Sequence, residues 1–122
     1  MKKKILTVDD SPSVRQMVKL TLAGAGYDVM VAGNGLEALN AAKATTVDMV
    51  VTDLNMPVMN GLGLIRELRK LPAYRGTPIL FLTTESDSEI KKEAKAAGAT
   101  GWVTKPFQQD QLVALVKRVL GA

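Results

Sequence analysis

The sequence predicts an α/β fold built on one doubly wound parallel sheet. Short apolar runs alternate with segments of helical periodicity along all 122 residues. Several runs are apolar almost without interruption, and no linker, repeat or low-complexity stretch separates the units. Strands that are apolar at successive positions are covered on both faces, as helices on either side of a parallel sheet cover them. Five such units imply right-handed crossovers between parallel strands.

The elements follow in order. The first strand is expected at residues 5–8. The first helix opens at Ser11, a capping residue, with Pro12 at the first helical position, where no amide hydrogen is needed. It carries Val14, Met17, Val18, Leu22 and Ala25 on one face and stops at Gly26. Residues 29–32 read as the second strand and about 36–44 as the second helix. The third strand, 49–52, runs into turn signals at Pro57 and Asn60-Gly61, after which Leu64, Ile65, Leu68 and Leu71 mark the third helix. The fourth strand is 79–82, and Ile90, Ala94 and Ala97 mark a helix ending at Gly98. Residues 101–104 and about 109–120 close the series as strand and helix. The natural arrangement is flavodoxin-like, with strand order 2-1-3-4-5. In that order the strands ending at Asp9-Asp10, Asp53, Thr83 and Lys105 are neighbours. The second strand, ending in Ala32, Gly33 and Asn34, falls at an edge and supplies nothing reactive.

Composition narrows the function. With 47% hydrophobic residues, the chain fits one domain over residues 1–122, with no room for an attached output domain. It has no cysteine, which excludes disulfides and thiolate metal sites, and no histidine, so a phosphohistidine must come from outside. Nothing at the N-terminus resembles a signal peptide and no apolar stretch nears the ~20 residues that span a bilayer, so a cytoplasmic, membrane-free protein is expected. The formal charge of +4 is dispersed over Lys2 to Lys4, Lys91, Lys92, Lys95, Lys117 and Arg118, without an aromatic platform. That pattern reads as solvated faces or protein docking rather than nucleic-acid binding.

The strand ends carry the chemistry. Asp9, Asp10 and Asp53 would repel one another by ~4 kcal/mol per pair at 4 Å and an effective dielectric near 20. A divalent cation offsets that, and an oxygen-only donor set without His or Cys points to Mg²⁺. The plainer reading makes one of the paired acids a helix cap and Asp53 a turn acid. Asp53 is also a possible nucleophile toward phosphorus, whereas Asp48, before its strand, lies at the wrong edge. Thr83, with Thr84 as its rival, can donate to a phosphoryl oxygen, and Lys105 can neutralise transferred charge after pairing with Asp53.

The segments VDDS around Asp9 and Asp10, TDLNMPVMNG around Asp53, FLTTE around Thr83 and AAGATGWVTKPF around Lys105 resemble the receiver domain of two-component response regulators. The likeness covers essentially the whole chain and is strongest to single-domain chemotaxis regulators of the CheY type. It implies that Asp53 accepts a phosphoryl group from a sensor histidine kinase of the chemotaxis type, in a Mg²⁺-dependent reaction the domain itself catalyses. The protein is then a phosphoacceptor rather than an enzyme acting on other substrates. Asp10, Asp53 and the backbone carbonyl of Asn55 would ligate the metal, with Asp9 acting directly or through water. Lys105 would bind phosphate, and the Lys105-Pro106 bond would be cis. Asn55 and Glu85 would tune dephosphorylation. Thr83 and Trp102, where Tyr or Phe is usual, would form a switch that alters the surface of the fourth helix, fifth strand and fifth helix. A flagellar motor switch protein and a phosphatase are further implied partners of a monomer. A stand-alone receiver acting as a phosphate sink or on a non-flagellar target is the alternative. A haloacid-dehalogenase-like phosphohydrolase fits less well because its DxDxT motif is absent after the first strand. A flavin carrier would place phosphate against Asp9 and Asp10.

Overall fold

The computed structural model describes residues 2–121. Its sheet contains β1 (Lys4–Val8), β2 (Asp28–Ala32), β3 (Met49–Thr52), β4 (Ile79–Thr83) and β5 (Gly101–Thr104), all parallel in the order β2-β1-β3-β4-β5. The helices are α1 (Pro12–Gly24), α2 (Gly35–Ala44), α3 (Gly61–Lys70), α4 (Ser88–Ala96) and α5 (Gln109–Leu120). This is the flavodoxin-like arrangement expected from the alternation of runs.

Successive strand residues face opposite ways, which divides the core in two. Ile5, Met49, Val51, Leu80 and Leu82 pack against Val18 and Leu22 of α1 and Leu112 and Val116 of α5. Leu6, Val8, Val50, Ile79 and Phe81 pack against Ala38 and Leu39 of α2, Leu64, Ile65 and Leu68 of α3, and Ala94 of α4. Four helices begin with side-chain caps. Ser11 accepts from the Val14 amide at 3.4 Å, Asn34 from Glu37 at 2.8 Å, Asn60 from Gly63 at 2.8 Å and Asp87 from Glu89 at 2.8 Å. Each satisfies an amide the first helical turn leaves unpaired.

The sequence reading slips mainly at element ends. β1, β2 and β4 each gain a residue, at Lys4, Asp28 and Thr83. α1 stops at Gly24, and Gly26 takes the left-handed φ of 102° that turns the chain toward β2. Met17 is 37% exposed rather than packed inward. Leu71 and Ala97 are C-caps outside their helices. A 3-10 turn at Pro72–Tyr74 was not expected, because its signal is a buried side chain rather than a periodicity. Tyr74 donates its hydroxyl to the Ala42 carbonyl at 2.5 Å and accepts the Val47 amide at 3.2 Å, tying that turn to α2 and to the segment that leads into β3. On α5, Leu112 and Val116 are buried, and Val113, Leu115, Val119 and Leu120 pack partly against the same cluster. Its broad apolar stripe therefore serves the core.

Candidate phosphoryl and metal site

Register brings the chemistry together. Val8 pairs with Thr52, Thr52 with Phe81 and Thr83 with Thr104, so the residues that follow emerge along one edge. The main chain stays paired for one step beyond the strands. The Asp9 amide donates to Ala32 at 3.2 Å, Asp53 to Val8 at 2.9 Å and Lys105 to Thr83 at 2.8 Å. Three chemically important side chains thus project from backbone held by the sheet itself.

Asp9, Asp10 and Asp53 each offer a carboxylate oxygen, all within 4.8 Å of one another. Lys105 Nζ lies 2.6 Å from Asp9 Oδ2 and 3.4 Å from Asp53 Oδ2. The sequence expectation paired Lys105 with Asp53; both contacts exist, and the shorter is to Asp9. The Lys105 and Asp9 side chains are 15% and 5% exposed, where little water screens the pair. Asp9 Oδ1 accepts the Ser11 amide at 2.9 Å, and Asp53 Oδ1 accepts the Leu54 amide at 2.7 Å. Asp53 Oδ2 therefore faces the cluster. Asp10 is exposed at its rim. A compact set of oxygen donors with one ammonium against three carboxylates fits a hard divalent cation.

Thr83 and Thr84 separate clearly. Thr83 is fully buried and its Oγ1 accepts the Glu85 amide at 3.2 Å, whereas Thr84 is exposed. Glu85 folds its carboxylate onto the amides of Ser86, at 3.2 Å, and Asp87, at 3.0 Å, ordering the approach to α4. Asn55 is exposed two residues after Asp53. Trp102 is half-buried, its ring centroid 5.5 Å from that of Phe81 and its indole N–H donating to the Glu85 carbonyl at 3.1 Å. Lys91 sits 5.7 Å above the Trp102 ring. The Lys105-Pro106 peptide is cis.

Two supports were not read from the sequence. Arg15 donates Nη1 to the Asp9 carbonyl at 2.8 Å, fixing the loop that carries the paired acids. The signal was its place in the first turns of a helix whose side chains lean back toward that loop. Gly61 is the other. A Cβ there would lie 2.5 Å from both the Asp53 carbonyl oxygen and Phe81 Cε1, so glycine lets the start of α3 press against the backbone of Asp53. Between them Val58 holds φ 70°, a left-handed conformation that a β-branched side chain resists, while 76% exposed.

Comparison with known proteins agrees with this geometry. A family profile for the response regulator receiver domain matches residues 5–117. Among solved structures, the Vibrio cholerae chemotaxis protein CheY4 is similar at 48% identity and TM-score 0.94, covering 98% of this chain and 99% of that one. The receiver domain of the Pseudomonas aeruginosa sensor histidine kinase PA1611, solved with a magnesium ion coordinated in its active site cleft, has 27% identity and TM-score 0.91 over 100% of both chains. The DNA-binding response regulator MtrA of Mycolicibacterium smegmatis is 40% identical over 117 residues, 96% of this chain and 50% of MtrA. The chain thus spans about half the length of the curated relatives it matches first.

Proposed function

The chain belongs to the response regulator receiver domain family, and from that premise we propose that Asp53 accepts a phosphoryl group from a histidine kinase and that the acyl phosphate resets a partner-binding surface. The observation that carries the reading is Asp53 Oδ2 beside Lys105 Nζ and within a cluster of three carboxylates. Asp53 Oδ2 is the nucleophile. Its O–P bond forms as the donor's P–N bond breaks, and the electron pair leaves with the imidazole nitrogen. Asp9, Asp10 and Asp53, with the Asn55 carbonyl, would hold Mg²⁺, which when bound supplies positive charge against the phosphoryl oxygens. Lys105, whose ammonium already contacts Asp9 and Asp53, would stabilise the same charge. The domain thereby catalyses its own modification, and Asn55 and Glu85 govern how water reaches the acyl phosphate.

The donor has a place to rest. An apolar groove of about 430 Å³ lined by Val14, Met17, Thr84, Lys105, Pro106 and Phe107 begins at the phosphoryl site. It suits an apolar face of the element bearing the phosphohistidine. Similarity to CheY4 over nearly its whole length supports a chemotaxis regulator binding a motor switch or other target through α4, β5 and α5. Similarity to MtrA supports the second reading, a receiver serving a non-flagellar output or draining phosphate.

Acetyl phosphate with Mg²⁺ is expected to add one phosphoryl group per chain and then stop accumulating, as intact mass will record. Sustained release of phosphate from unrelated monoesters would indicate a phosphohydrolase instead.

Signalling requires that phosphate interact differently with two states of the domain. Thr83 is the link, since its hydroxyl now engages the loop that also holds Trp102. When Mg²⁺ and beryllofluoride occupy the site, Thr83 turns toward the fluoride, the indole buries further and its emission shifts to the blue. Thr83→Ala is expected to keep phosphoryl uptake and lose most of that shift, and a full shift in the variant would remove Thr83 from the switch.

A further inference from the structure

Arg69, on the last turn of α3, lies far from the acids and gathers main-chain oxygens from separate segments. Its Nη1 donates to the Tyr74 carbonyl at 2.5 Å and the Thr77 carbonyl at 2.7 Å, with Arg75 more distant at 3.4 Å. Its Nη2 donates to the Gly98 carbonyl at 2.6 Å. One planar guanidinium therefore ties α3, the turn before β4 and the turn between α4 and β5. Gly98 suits the contact twice over: it adopts φ 109°, and a Cβ there would stand 2.8 Å from Arg69 Nε. Partial burial lowers the guanidinium's pKa from the usual arginine range, and the ring of carbonyls offsets the lost water.

The helix it tethers is otherwise lightly held. α4 buries Ala94 alone and Ile90 only partly, and the C-cap Ala97 that follows it is also only partly buried. Its N-terminal end is connected to the site by the Glu85 loop, the Asp87 cap and the Trp102 indole. Its C-terminal end meets Arg69 through Gly98, next to the paired starts of β4 and β5, where Thr100 and Ile79 exchange hydrogen bonds of 2.8 and 3.0 Å. One end is coupled to the phosphoryl site and the other is fixed to the scaffold.

We propose that Arg69 is a positioning residue for the output surface: it makes the Gly98 turn the fixed end of α4, so that a change at Thr83 and Glu85 swings the N-terminal half of the helix, with Lys91 and Trp102, about that point. The exposed Arg66–Glu93 ion pair at 2.8 Å links α3 to the middle of α4, where solvent screens it, and cannot replace the clamp. The inference rests on Asp53 being the phosphoryl acceptor.

Hydrogen exchange with and without Mg²⁺ and beryllofluoride, on the wild type, Arg69→Gln and Arg69→Lys, tests it, with Trp102 emission measured alongside. In the wild type, beryllofluoride should alter exchange at residues 85–92 and leave 96–101 unchanged. In Arg69→Gln, exchange at 96–101 should rise roughly tenfold in the resting protein. The beryllofluoride response should then spread to that segment and the emission shift fall by at least half, while acetyl phosphate still adds one phosphoryl group. Arg69→Lys keeps the charge but reaches fewer carbonyls, and should show the same pattern more weakly, which also covers failure of the glutamine variant to fold. Equal responses at both ends of wild-type α4, or a wild-type emission shift in a folded Arg69 variant, would overturn the clamp. Failure of the wild type to take up phosphate would instead count against Asp53.

Discussion

Lys105→Met should slow phosphoryl uptake from acetyl phosphate by about 10²–10³-fold, the usual loss when one preorganised charge donor is removed from a phosphoryl or oxyanion site. Two effects combine. Methionine keeps most of the side-chain volume but cannot stabilise charge on the transferred group. It also leaves Asp9, whose side chain is 5% exposed, without the ammonium 2.6 Å away. The loss of fold stability should be on the order of 2 kcal/mol, below that for removing one partner of a fully buried pair because Lys105 is reached by some water. Added Mg²⁺ should then raise the melting temperature of the variant more than that of the wild type, since a cation relieves more repulsion once Lys105 is gone. Equal Mg²⁺ stabilisation of the two proteins, with wild-type uptake, would mean that Lys105 is a surface ion pair and nothing more.

Gly61→Ala should damage fold and chemistry together. The new methyl would stand 2.5 Å from the Asp53 carbonyl oxygen and from Phe81 Cε1, so neither neighbour can yield cheaply: one is backbone of the acceptor, the other a fully buried ring. Overpacking of this kind costs ~1–3 kcal/mol in stability. A shift of Asp53 by even ~1 Å can lower reactivity by roughly 10²-fold. Gly24→Ala is the matching control. Nothing lies within 4 Å of a Cβ at that position, at the end of α1, so alanine should be neutral or stabilising by up to ~1 kcal/mol. Chemical denaturation and phosphorylation kinetics of both variants would settle the matter, and a Gly61→Ala protein as active and stable as Gly24→Ala would contradict the packing described.

The contrast between these glycines marks what the sequence could disclose. Strand order and the meeting of Asp9, Asp53 and Lys105 were legible because apolar runs locate strands and parallel strands align their carboxyl ends. Thr83 over Thr84 was legible only in part: Thr83 follows directly on the apolar run, but β4 is buried at every position through Thr83, so the exposure of Thr84 depends on where the strand ends rather than on any alternation along it. What stayed hidden depends on distances between elements. Lys105 approaching Asp9 more closely than Asp53, Arg15 reaching the Asp9 carbonyl and Arg69 collecting carbonyls from several loops leave no periodic trace. Trp102 sits between these cases. Its place on β5 was readable, but the bond from its indole to the Glu85 carbonyl arises from the path of a loop that propensity does not determine.

The central claim is that Asp53 is the acceptor, and the most direct test is intact mass and peptide mapping after acetyl phosphate and Mg²⁺ on the wild type and Asp53→Asn. Asparagine keeps the shape of the side chain and removes the anionic nucleophile. One labile phosphoryl group on the wild-type peptide containing Asp53, absent from the variant and from wild type in excess chelator, is the expected result. Equal phosphorylation of Asp53→Asn, or a phosphoryl group mapping to another residue of the wild type, would contradict the account.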